Sequence, residues 1–213
     1  MDGLLVDTEM LKYEAYKYVF AKFNIKFSKE DYLKYWVKLG IGLETYLTKK
    51  HININSKIIT SEKEKYFIKL INNSKLMPFD GVIELFKNLK KNNIKIVLAT
   101  SSSYKETIVI LNKINLLNYF DFIATKNDVK NKKPDTEIYQ YILLKMNESA
   151  YNCISIEDSQ KGTEPSLKLN IKTIAIPNKY TLNHNFDNVD LILDSIKKIN
   201  LDLLNTLIKK GLK

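Results

Sequence analysis

The chain has 213 residues, 45% hydrophobic and 27% charged, which suits one α/β domain with an insert or two modest domains and excludes a disordered chain. Its net charge of +10 raises a nucleic-acid partner, but the lysines are spread along helical stretches among Glu and Asp, so the charge reads as solvated faces. No run approaches the roughly 18 apolar residues of a membrane span, no basic-then-apolar leader opens the chain, and the single cysteine, Cys153, reads as a small buried hydrophobe, so a soluble cytoplasmic protein without nucleic-acid or membrane partners is expected.

In chain order, Met1-Asp-Gly-Leu-Leu-Val-Asp-Thr8 is a turn carrying two carboxylates, with no strand before it. Leu11, Ala15, Tyr16, Val19, Phe20 and Phe23 then recur at helical spacing, which predicts a helix over 9–23. Further helices are expected at 28–38, 43–50 and 60–74, with Gly40-Ile-Gly42 as a break. Residues 9–77 therefore form a helical module whose core is expected to hold Trp36 and the tyrosines.

After Met77-Pro-Phe-Asp-Gly81 the pattern changes. A helix over 82–91 ends at Asn92-Asn93, which can supply a left-handed residue in place of Gly. A strand follows at 94–99, and Thr100-Ser-Ser-Ser103 opens a helix to 112. Strands at 120–124 and 153–156 flank a helix from Pro134 to Met146. A helix to 169, strands at 172–176 and 191–193, and a helix over 199–210 complete the chain. Strands alternating with helices mean right-handed βαβ units and a parallel sheet covered on both faces. The expected fold is α/β, with a core from residues 1–8 and 78–213 and a helical insert over 9–77.

The carboxyl edge of such a sheet is where open α/β folds place their ligands, and four strand ends carry suggestive residues. Thr100, Ser101 and Ser102 stand at a helix start, where backbone N–H groups and the dipole favour anions, although plain capping is the competing account. Lys133 precedes the proline that begins a helix and can bring an ammonium to the same edge. Glu157 and Asp158 end a strand with two hard oxygen ligands, and Asp2 adds a carboxylate at the first turn. An anion cradle, a fixed cation and ligands for a divalent ion are what phosphoryl transfer requires.

Asp2-Gly-Leu-Leu-Val-Asp-Thr, Ala99-Thr100-Ser, Lys132-Lys133-Pro and Glu157-Asp158-Ser-Gln-Lys-Gly162 resemble the four motifs of the haloacid dehalogenase superfamily, in particular its phosphatase and β-phosphoglucomutase-like members with a helical cap. The likeness covers nearly the whole chain, and Pro177-Asn178 and Val189–Ser195 also fit. It implies a Rossmann-like three-layer core and a mobile cap that excludes water. It further implies that Thr100 and the backbone of Ser101 hold the phosphoryl group, and that Lys133 bridges it to the nucleophile. Asp158, with Glu157 near it and the Asp2 carbonyl, would hold Mg²⁺, while Asp2 itself would be the general acid–base. Ser102 and, on the cap, Gly40 and Lys12 are expected near substrate, a small phosphorylated metabolite. A monomer or weak dimer is expected.

The likeness fails at one end. The family's first motif is Asp-x-Asp with the first Asp as nucleophile, and Met1 occupies the x position. The nucleophile and the strand that carries it would precede Met1, and their loss would open two buried edges in mid-sheet. The expectation is a start recorded too late or a fragment, rather than a non-catalytic phosphate-binding relative; as written, the polypeptide should not turn over. In the cap, Leu43 stands where the mutase has an arginine and Lys12 where it has a histidine, which favours a phosphatase over a phosphohexomutase.

Overall fold

A computed structural model describes residues 1–211, so the last two positions of the expected core span lie outside the described residues. The chain divides into two compact units, Met1–Val6 with the chain from Met77 onward, and Asp7–Leu76.

The second unit is helical: α1 (Glu9–Lys22), α2 (Lys29–Tyr32) running on into a π-helical stretch (Leu33–Lys38), α3 (Gly42–Lys49) and α4 (Ser56–Asn73). Its core is aromatic. Phe20, Phe27, Tyr32 and Tyr46 are buried, and half-buried Trp36 packs on them, with ring centroids 5.3 Å from Phe27 and 4.9 Å from Tyr46. Such ring pairs add to the area they remove from water. Helix α4 begins earlier than its apolar periodicity suggests, because the Asn55 side chain accepts from Lys57 N–H at 2.9 Å and caps a polar first turn.

The first unit is built on short parallel strands: β1 (Val97–Ala99), β2 (Phe122–Ala124), β3 (Ile154–Glu157), β4 (Lys172–Ala175) and β5 (Leu191–Ile192). Between and around them run α5 (Val82–Lys91), α6 (Tyr104–Lys113), α7 (Glu137–Met146), α8 (Gln160–Lys168) and α9 (Leu201–Gly211). β1 pairs with β2 in parallel, and β3 pairs with β4, which pairs with β5. The strands thus form two ladders rather than one sheet, and β1 and β3 each pair on one side only.

A cleft of about 530 Å³ lies between those two edges, lined by both strands and by residues such as Leu85, Leu89, Leu143 and Leu204. Cys153, expected to be buried, is half-buried and lines this cleft.

Two strands are shorter than their apolar runs. Ile96 gives its N–H to the Asp121 carboxylate at 2.7 Å instead of to a ladder, and β1 starts at Val97, three residues later than its apolar run. Phe120 closes a 3-10 turn, Leu117–Tyr119, which delays β2 to Phe122. β3 instead runs one residue further than expected, because Glu157 is in register with Ala175. Asn93 and Asn170 take the left-handed conformation that closes their helices, at φ 55° and 58°.

Candidate active site

The first turn folds tightly: Gly3 N–H donates to Val6 O at 2.9 Å and Leu5 N–H to Met1 O at 2.8 Å. Gly3 sits at φ +79°, and a Cβ there would collide with the Asp158 carboxylate and with Asn178 Nδ2. The turn is thereby brought against the end of β3. Asp2 Oδ2 accepts from Ser102 Oγ at 2.8 Å, which joins it to the end of β1 as well.

Helix α6 begins later than expected, at Tyr104, and its cap is Ser103. Ser103 Oγ accepts from Glu106 N–H at 3.3 Å, and the Glu106 carboxylate accepts from Ser103 N–H at 3.2 Å. This capping box leaves Thr100 and Ser102 outside the capping role that competed with an anion-binding one. Both are buried, and Thr100 Oγ1 accepts from Ser102 N–H at 3.1 Å. Ser101 is exposed at the tip of the same turn.

Lys133 is not a solvated surface lysine. Its side chain is 5% exposed, and Nζ donates to Glu157 Oε1 at 2.5 Å, Ala99 O at 3.2 Å and the Tyr139 hydroxyl at 3.3 Å. One ammonium therefore ties the ends of β1 and β3 together. Tyr139, on α7, donates to the same Glu157 oxygen at 2.5 Å and lies 2.9 Å from Ser155 Oγ. Sequence reasoning missed Tyr139, whose hydroxyl is indistinguishable from a packing ring until the strands are in place.

Glu157 is buried, which by itself raises a carboxyl pKa. The charge of Lys133, with the hydrogen bonds from Lys133 and Tyr139, opposes burial, and the carboxyl is held below the ordinary value. Burial and then Glu157 push the Tyr139 phenol well up. Gly162 is where it is because a Cβ there would overlap the Glu157 carboxylate. Burial, and then the charges of Lys132 and Lys133, push the Lys161 ammonium down.

Asp158 Oδ2 accepts from Asn178 Nδ2 at 2.8 Å, and the same amide donates to Gly3 O at 3.1 Å. Asn178 thus links the loop after β4 to the turn and to β3, an orienting role of the kind second-layer residues play around metal ligands. Asp2, Glu157 and Asp158, expected together as ligands, do not gather into a ready-made three-carboxylate cluster among the described residues. Asp2 is directed at Ser102 and Glu157 at Lys133. The remaining donors, the Asp158 carboxylate beside backbone carbonyls, still fit a hard divalent cation such as Mg²⁺. That ion takes one or two carboxylates and fills its shell with water and substrate oxygens.

Thr100, Ser102, Lys133, Glu157, Asp158 and Asp2 thus meet at the ends of β1 and β3. Gly40 and Lys12 belong to the helical unit: Gly40 has φ +59° after the π-helical stretch, and Lys12 pairs with Glu9 at 3.8 Å on α1. Among the described residues, no helix is long and apolar enough to cross a membrane.

A family model described as haloacid dehalogenase-like hydrolase matches residues 1–176. The chain is 31% identical over 179 residues to a phosphorylated carbohydrates phosphatase of Thermotoga maritima, covering 82% of this chain and 81% of the relative. It is 29% identical over 176 residues to the β-phosphoglucomutase of Bacillus subtilis, covering 76% and 74%. Among solved structures, CbbY from Rhodobacter sphaeroides in complex with phosphate superposes with a TM-score of 0.88 at 23% identity, over 96% of each chain.

Proposed function

The chain belongs to the haloacid dehalogenase-like hydrolases, and from that premise we propose that it is a phosphatase of small phosphorylated metabolites, acting in the cytoplasm with Mg²⁺. One observation carries the reading: a buried ammonium, two buried hydroxyls and the carboxylates Asp2 and Asp158 converge where two strands end. This is a place where a phosphate ester's charge can be matched from several sides without reorganisation.

In this reading Thr100 Oγ1 and the Ser101–Ser102 backbone hold the phosphoryl oxygens, and Lys133 neutralises them. Lys133 is kept charged and aimed by Glu157. Asp158, oriented by Asn178, and the Asp2 carbonyl would hold the metal, with Glu157 supporting from beneath. Mg²⁺, when bound, supplies charge neutralisation on the phosphoryl group. Asp2 gives its proton to the leaving oxygen and then takes one from the attacking water. The Ser102 hydroxyl at 2.8 Å fixes which way its carboxyl points. Gly40 and Lys12 are proposed substrate contacts. Leu43 and Lys12, in place of the mutase's arginine and histidine, favour hydrolysis over a phosphohexomutase.

The test is phosphate release from a panel of sugar and nucleotide phosphates by the full-length protein. Mg²⁺-dependent release, cut roughly 10²–10⁴-fold by Asp2→Asn, is expected. Release that is indifferent to Asp2→Asn contradicts the proposed acid–base; no Mg²⁺-dependent release contradicts the phosphatase reading.

A further inference from the structure

Tyr139, in the first turn of α7, turns a buried hydroxyl toward β3. Its oxygen lies 2.5 Å from Glu157 Oε1, 2.9 Å from Ser155 Oγ, 3.3 Å from Lys133 Nζ and 3.5 Å from Gly162 O. A ring that only filled space would be served by phenylalanine, without the cost of taking a hydroxyl out of water. A phenol has one proton to give. The short contact assigns it to Glu157, because a charged acceptor makes the stronger bond. The phenol oxygen is then an acceptor for Lys133, and for Ser155 through that residue's own proton.

Lys133 has three N–H donors, and three acceptors surround it: Glu157 Oε1, Ala99 O and the Tyr139 oxygen. Ala99 ends β1 and precedes Thr100, so the bond to its carbonyl keeps the ammonium beside the proposed phosphoryl cradle. Glu157 pulls the other way, toward β3. That pull is divided, because Oε1 receives Tyr139 and Lys133 together. The phenol ring adds a second hold, with Nζ 4.7 Å from its centroid. Without the hydroxyl, Oε1 would be left to the ammonium, and the tighter ion pair would compete with a phosphoryl oxygen for the same donors.

We propose that Tyr139 is a positioning residue for phosphoryl transfer. Its hydroxyl takes a share of Glu157, which leaves the Lys133 ammonium directed at the end of β1 and available to the transferring group. The assignment rests on the phosphatase reading. Tyr139 acts through Lys133, and the aim of that ammonium matters most as charge builds on the phosphoryl oxygens.

The experiment compares the full-length protein with its Tyr139→Phe, Glu157→Gln and doubly substituted variants. It follows steady-state phosphate release from the ester that the wild type hydrolyses fastest, together with the unfolding midpoint. Tyr139→Phe keeps the ring and should fold. Its kcat should fall roughly 10–100-fold, the loss usual for an orienting partner, with KM little changed. The double variant should lose little more than Glu157→Gln alone, because both changes act on one network. An unchanged kcat, a loss confined to KM, or additive losses overturn the inference. So does a Tyr139→Phe chain that does not fold, since the hydroxyl would then be structural. Those results, with the wild type active, strike this assignment alone; a wild type that releases no phosphate overturns the phosphatase reading and this assignment together.

Discussion

At Lys133 one ammonium meets a carboxylate, a carbonyl and a phenol while almost out of water. A buried pair of this kind contributes little net stability against an apolar substitute, yet breaking it from one side costs about 3–5 kcal/mol. Glu157→Gln should therefore lower the midpoint at neutral pH. The pH dependence follows from the direction of the shift. Glu157 titrates below its ordinary value of 4.5 in the folded chain. Its contribution is thus complete above about that pH and lost as pH falls through the folded value. Thermal unfolding from pH 7 down to 3 should show an acid limb that is shallower in Glu157→Gln; an identical limb contradicts the pairing. Thr100, Glu157 and Asp158 were legible because they stand where apolar runs stop, and Lys133 because it precedes the proline expected to begin a helix. Tyr139 was not, and Asn178 only through the family resemblance: a phenol in the first turn of a helix and an amide in a loop show nothing of their targets until β1, β3 and β4 are adjacent.

Among the elements, the helices were easier to find than the ends of the strands. Periodicity marks a helix over several turns, whereas a three-residue strand such as β1 is delimited by one hydrogen bond, here the diversion of Ile96 N–H to Asp121. The helical unit's core offers a clean test, because the chain's single tryptophan, Trp36, lies in it. Phe27 is buried among Tyr13, Phe20, Tyr32, Trp36 and Tyr46. Phe27→Ala should cost roughly 3–5 kcal/mol, seen as an earlier transition in Trp36 emission, with Phe27→Leu milder. Equal midpoints for the wild type and Phe27→Ala would show that this ring cluster does not hold the unit together.

For the molecule as a whole, what matters is that a site drawn from four distant segments depends on how strands are ordered. The alternation of elements specified a parallel α/β core but left the pairing partners open, since these leave no mark in local composition; two open edges in mid-sheet were expected only from the family resemblance. Lys133 spans the ends of those ladders, and Asn178 links the turn to β3. The most direct measurement is an amide-resolved NMR titration of the chain with inorganic phosphate in the presence of Mg²⁺. Saturable shifts at 100–103, 133 and 157–158, with the rest of the spectrum little changed, are predicted. Shifts scattered over the lysine-rich helices, or none that saturate, would contradict the account.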